Sequence, residues 1–245
     1  MHRFFIELAY IGTNYAGFQI QDNANTIQAE VETALKTYFK EDLKLTGSSR
    51  TDAGVHARQN YFHFDSELLS ADTNFEKAVY HLNAILPLDI VLKNIKEVNI
   101  NSHCRFDAVS RTYEYTVFQH KNPFLNDIGY FYPYNLNKQK LTLLANEILY
   151  HQCFKTFSKK NTQVKDFNCT IYTSEWSFYT DRLLYTVTAN RFLRGMVKGL
   201  VGTMMRCSSK NLLPDDLTKI ILSQDPSKAD FSVASKGLTL VQVAF

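Results

Sequence analysis

What most limits the folds open to this chain is the order in which its periodicities change between residues 3 and 98. Residues 3–10 read as a strand, and the segment Tyr10 to Gln19, with Gly12, Asn14 and Gly17, reads as a loop. A helix follows, opened by Asn25 with Gln28 as a capping-box-like partner. Ile27, Val31, Leu35, Tyr38 and Phe39 recur on one of its faces. Strands are predicted near 43–48 and 59–64. A second helix opens at Thr73-Asn74-Phe75-Glu76, buries Phe75, Val79, Leu82, Ile85 and Leu86, and stops at Pro87. Ile90 to Val98 closes the set as a strand. This is the β-α-β-β-α-β order of a split βαβ, or ferredoxin-like, unit.

The rest of the chain repeats that order more loosely. Arg111 to Gln119 reads as a strand. A loop with Pro123, Gly129 and Pro133 leads to a helix with Leu141, Leu144, Ala145, Ile148 and Leu149 on its apolar side. Ser158 to Lys165 is a polar loop. Residues 167–179 and 183–190 form a hairpin around Asp181-Arg182. Phe192 to Met205 is a helix with Phe192, Met196, Val197, Leu200, Val201 and Met204 inward. Pro214 starts a short helix, and Leu238 to Phe245 is a final strand. The expected class is α+β: two ferredoxin-like halves, 1–105 and 106–245, with mainly antiparallel sheets flanking a central basic cleft.

The chemistry concentrates in Gly47-Ser48-Ser49-Arg50-Thr51-Asp52-Ala53-Gly54-Val55-His56-Ala57, the connection between the two middle strands of the first half. Gly47 and Gly54 can let it turn sharply at both ends. A carboxylate beside a guanidinium stays ionised, so Asp52 next to Arg50 can serve as nucleophile or base. Spacing alone leaves open a plain turn, in which Asp52 caps an amide and Arg50 is a solvated charge. His56 can serve the loop or only pack and hydrogen-bond.

Charge is unevenly spread. Residues 1–105 carry 10 Lys+Arg and 13 Asp+Glu, a balance of −3; residues 106–245 carry 17 and 11, a balance of +6. A basic half suits a polyanion such as RNA, although it can also be a solvated face. Cys104, Cys153, Cys169 and Cys207 form no Cys-x-x-Cys pair, and the seven histidines show no metal-ligand spacing, so neither zinc nor redox chemistry is expected. No apolar run reaches membrane-spanning length, and a charge comes too early for a secretory signal, so a cytoplasmic location is expected.

Two further groups could carry chemistry. Tyr113 and Tyr115 share one face of a strand, where an aromatic can stack an extruded base or fill the core; Tyr115 is expected in the core. Arg194 and Lys198, four apart near a helix start, bring cations to the end the dipole disfavours, which points to phosphate or carboxylate pairing or to a solvated face.

Taken together, these motifs resemble the tRNA pseudouridine synthase A family over nearly the full length. Tyr10-Ile11-Gly12-Thr13-Asn14-Tyr15-Ala16-Gly17-Phe18-Gln19 is similar to its opening motif, and Ser49-Arg50-Thr51-Asp52-Ala53-Gly54-Val55-His56-Ala57 to its signature. Leu82 to Pro87, Arg105 to Ala108, Arg111 to Tyr115, Phe192 to Lys198 and Gly237 to Leu240 also fit. The resemblance implies that Asp52 is the catalytic nucleophile and that Arg50 helps displace the target base. It also implies that Tyr113 packs on the uracil, that Lys198 stands where the family has an arginine paired with the aspartate, and that Leu238 lines the pocket. It implies uridine-to-pseudouridine isomerisation in the anticodon stem-loop of tRNA, at positions 38, 39 and 40, by a homodimer without cofactor or metal. Ser49 in place of glycine, and Lys198 in place of arginine, depart from the pattern; an ammonium lacks the guanidinium's fork. Two other classes compete with this reading. A non-catalytic RRM-like RNA-binding protein would need an RNP-type aromatic run, which is missing; an enzyme of free nucleosides would not need an extended positive surface.

Overall fold

A computed structural model describes residues 1–159 and 164–245. The chain divides into two compact units: Met1–Val109 with Thr239–Phe245, and Ser110–Leu238. Both are mixed α/β, built on mostly antiparallel strands.

In the first unit, strand β1 (His2–Tyr10) alternates so that Phe4, Ile6, Leu8 and Tyr10 point into the core. It pairs antiparallel with β3 (His56–Ser66), Ile6 opposite Phe62, and on its other side with β4 (Ile90–Val98), Ile6 opposite Ile95. Strand β2 (Thr46–Gly47) adds to β3, as does β9 (Leu238–Ala244), which runs parallel with His56 opposite Thr239 and Ala57 opposite Leu240.

Helix α1 (Ile27–Phe39) buries Ile27, Val31, Ala34 and Leu35. Its cap is Thr26, whose hydroxyl accepts from Ala29 N, rather than Asn25. Gln28 is drawn away from capping: its side-chain oxygen accepts from Ile20 N and its amide donates to Glu32 and to Leu45 O. Helix α2 (Phe75–Ile85) is capped by Asn74 and buries Ala78 and Leu82. Ile85, expected inside, is exposed. Asn83 beside it holds both backbone groups of Leu92 at 2.8 Å, tying the helix to β4.

The strand expected over 43–48 shrinks to two residues. Leu43 and Leu45 are buried as alternation predicts, but Leu45 N donates to Glu32 and Leu45 O accepts from Gln28. Side chains of α1 take the backbone groups that a ladder would have used.

The second unit orders its strands β5 (Ser110–Phe118), β8 (Leu183–Ala189), β7 (Ile171–Phe178), with β6 (Tyr130–Phe131) parallel to β5. Tyr115 and Tyr185 are fully buried, their hydroxyls bonded to Ala234 O at 2.6 Å and to Ser174 Oγ at 2.8 Å. The hairpin turns at Asp181-Arg182, where Tyr179 N donates to Arg182 O. Helices α3 (Lys138–Ile148), α4 (Met196–Ser209) and α5 (Pro214–Leu222) complete the unit. The loop expected over Ser158 to Lys165 lies partly outside the described residues. No described helix is long and apolar enough to cross a membrane.

Helix α4 starts four residues later than expected. Gly195 caps it in the left-handed region at φ 76°, and a turn from Leu193 O to Met196 N precedes it. Phe192 and Arg194 therefore lie outside the helix, and Arg194 does not share a helical face with Lys198.

Candidate active site

The loop from Ser48 to Val55 is held almost residue by residue. Ser48 N donates to Tyr61 O at 2.8 Å, Phe18 N to Thr51 O at 3.0 Å, Gly54 N to Tyr15 O at 3.3 Å, and Val55 N to Asp52 O at 3.1 Å. Fully buried Asn60 spends its amide on Ser49 O at 2.9 Å and on the Tyr10 hydroxyl at 3.1 Å. That bond uses the Tyr10 oxygen as acceptor, so its proton is available to Thr51 Oγ1, 2.8 Å away. Gly54, at φ 74°, makes the turn after Asp52.

The opening motif is the cradle of this loop. A Cβ on Gly12 would lie 2.1 Å from Val55 O, so only glycine lets the two backbones touch. Gly17 combines φ 105° with a backbone approach to Thr51 O. Between them, Gly12 N donates to His56 Nδ1 at 3.0 Å. A backbone N–H can only donate, so Nδ1 accepts and the neutral imidazole carries its proton on Nε2. His56 is buried, and this bond ties the opening motif to the end of the loop. Tyr15 is buried too and donates to Asp89 Oδ1 at 2.5 Å; burial and this carboxylate push its hydroxyl far above the usual tyrosine range.

Gly47 does not turn. It sits in β2 outside the left-handed region, and its missing Cβ leaves room for Phe18 and Phe62, whose rings stack at 4.1 Å. Ser49 also avoids positive φ, so the departure from glycine is accommodated.

Asp52 is half-buried, and among the described residues of its unit its carboxylate makes no hydrogen bond and no ion pair. The pairing with Arg50 that spacing suggested is not formed. Thr51 is turned inward onto Tyr10, whereas Arg50 is exposed and lines a cleft of about 260 Å³ with Gln19, Gln28, His103, Arg105 and Phe106.

The second unit carries the other predicted residues. Tyr113 is half-buried, its ring edge-on to Phe192 at 5.1 Å. Lys198, in the first turn of α4, donates to Ser235 Oγ at 3.1 Å. Arg194 is exposed, and its carbonyl accepts from Lys159 N. Leu238 is buried at the head of β9. Sequence reasoning did not assign Asn60 or Tyr10 a role. The signal for Asn60 was present: an amide in the middle of an otherwise apolar and aromatic strand must find partners when buried.

A family model described as tRNA pseudouridine synthase matches residues 8–107 and 148–245. The tRNA pseudouridine synthase A of Porphyromonas gingivalis is 39% identical over 249 residues, covering 100% of this chain and 98% of the relative. That of Bacteroides fragilis is 39% identical over 246 residues, covering 100% and 97%. That of Staphylococcus aureus is 35% identical over 243 residues, covering 98% and 90%.

Proposed function

The chain belongs to the tRNA pseudouridine synthase family, and on that premise we propose that Asp52 is the nucleophile with which it isomerises uridine in the anticodon stem-loop. Pseudouridine formation in tRNA is the reaction of its relatives, and the enzyme is an isomerase. One observation carries the assignment: a half-buried carboxylate with no hydrogen-bond or ion-pair partner among the described residues of its own unit, presented by a loop whose backbone is clamped on both sides.

In the proposed reaction an Asp52 oxygen attacks C1′ of the uridine, as a retaining glycosidase carboxylate does. The C1′–N1 bond breaks and its electron pair stays on the uracil. The base turns within the site, C5 attacks C1′, and the carboxylate leaves with the pair of the ester bond. Loss of the C5 proton and protonation of N1 complete the product. Each step needs a positioned carboxylate and a closed pocket, and neither cofactor nor metal.

The same reading gives Arg50 the displacement of the base, Tyr113 the packing on the uracil, and Leu238 the pocket wall. It regards residues 1–105 and 106–245 as two ferredoxin-like halves flanking a basic cleft, in a cytoplasmic homodimer. The strand and helix order of the first unit and the +6 balance of residues 106–245 support it. Incubating unmodified tRNA with the protein should place pseudouridine at positions 38, 39 and 40. Product confined to another part of the tRNA would sink the stem-loop assignment.

Lys198 is the cation assigned to Asp52. It occupies the position of the family's arginine, and a partly buried carboxylate that must stay charged needs a cation. Lys198→Met should lower single-turnover rate about a hundredfold, the scale of losing one electrostatic contact to a reacting group, and should weaken tRNA binding less. Lys198→Arg should retain activity. If Lys198→Met changed only affinity and its salt dependence, Lys198 would be a phosphate contact and Arg194 the better partner for Asp52.

A further inference from the structure

The first unit also brings His63 beside His103 and Cys104, which lie far from it in sequence. His63 lies near the end of β3, and His103 and Cys104 lie in the turn after β4. One ring nitrogen from each histidine and the Cys104 sulfur all lie within 4.8 Å of one another. His63 Nδ1 is 3.2 Å from Cys104 Sγ, and the two imidazole rings meet edge-on at 4.7 Å. Cys104 and His63 are buried, whereas His103 is half-exposed and also lines the cleft that holds Arg50.

We propose that His63, His103 and Cys104 form a binding site for one Zn2+ ion, with a fourth position open toward that cleft. Around a tetrahedral zinc, at 2.3 Å from sulfur and about 2.0 Å from nitrogen, ligand atoms stand about 3.3–3.6 Å apart, so the group needs only small adjustments. Two imidazoles and a thiolate are a donor set that selects zinc over magnesium or calcium, which prefer oxygen. The charged neighbours are Arg3, a cation facing Cys104 and His63, and the anions Asp65 and Asp107.

Binding exchanges existing contacts for metal bonds. The thiol now donates to Thr46 O at 3.2 Å, and His103 Nδ1 accepts from Arg105 N at 3.2 Å. The Cys104 S–H bond breaks, its proton goes to solvent, and the sulfur pair forms the bond to zinc: one proton is released per ion. The ion would then join β3 to the turn after β4.

The test uses chelator-stripped whole protein and Co2+ as the probe. Titration should produce a thiolate-to-cobalt charge-transfer band and strong visible bands of four-coordinate cobalt, saturating at one ion per chain, and Zn2+ should bleach both. His103→Ala, at a half-exposed position that leaves the core intact, should weaken Co2+ binding by more than about tenfold. Cys104→Ser should lose the charge-transfer band. Zn2+ should raise the unfolding midpoint of the wild type but not that of either variant. Cobalt spectra without a thiolate band in the wild type, or equal zinc stabilisation in wild type and His103→Ala, would overturn the site and leave only adventitious binding to surface imidazoles such as His2.

Discussion

Asp52→Asn should reduce pseudouridine formation by about ten-thousandfold or more while the protein keeps its thermal midpoint and its affinity for tRNA. The two halves of this expectation come from the same fact. The Asp52 carboxylate makes no hydrogen bond or ion pair among the described residues of its unit, so that unit loses no polar side-chain contact when an amide replaces it. The backbone bond from Val55 N to Asp52 O, which shapes the turn, is indifferent to the side chain. The reaction is not indifferent, because a neutral amide lacks the charge and the lone-pair basicity needed to attack an anomeric carbon. Single-turnover assays with labelled tRNA, beside thermal unfolding, measure both. A variant forming product at near wild-type rate would refute the nucleophile assignment; a variant that unfolds early would show that the carboxylate has a structural role.

The second large effect is expected from a residue with no chemistry of its own. Gly12→Ala should cost about 3 kcal/mol, a fall of roughly 10 °C in midpoint, because the new methyl would lie 2.1 Å from Val55 O. The clash is between two backbones, so no rotamer change relieves it. Either the Gly12 turn or the start of β3 must move, and with it the bond to His56 and the end of the Asp52 loop. A displacement of about 1 Å at a reacting group is worth roughly a hundredfold in rate, so turnover should fall well beyond the unfolded fraction. Gly47→Ala is the control. Its methyl would meet ring atoms of Phe62 and Phe18 at 3.0–3.2 Å, and rings can tilt. Denaturation curves and single-turnover rates for the pair decide the matter: equal losses would mean that Gly12 is not a special point of contact.

Much of the architecture was legible because burial imposes period. β1, β4, β8 and most of the inward faces of α1 and α3 fall where alternation or helical spacing predicts, although Leu149, expected on the apolar side of α3, is exposed beyond its end. Most of the failures share a cause: a local pattern was overruled by a partner distant in sequence. Leu43 and Leu45 alternate as in a strand, but Glu32 and Gln28 claim the Leu45 backbone. The apolar positions 192–205 are periodic, yet Gly195 adopts a φ that no right-handed helix contains. Asp52 and Arg50 stand two apart, but Thr51 is anchored inward by Tyr10 and the guanidinium faces the cleft. Asp52 itself was found through its glycine-rich neighbourhood and the family signature. The group of His63, His103 and Cys104 could not be found that way, since β-sheet pairing and not spacing assembles it.

The parallel pairing of β9 with β3 has a consequence for biosynthesis. Thr239 and Leu240 reach His56 and Ala57 only after the whole of the second unit has been translated. Until then the strand leaving the Asp52 loop has an open edge just where the loop ends. A ribosome-bound chain stalled inside the second unit would therefore carry every residue of the Asp52 loop without its downstream brace. Pairing across so long an interval closes late and slowly. The exposed edge is meanwhile a template for wrong partners. Chaperone demand should peak during synthesis of the second unit and drop once residues 239–245 emerge and the edge of β3 is covered.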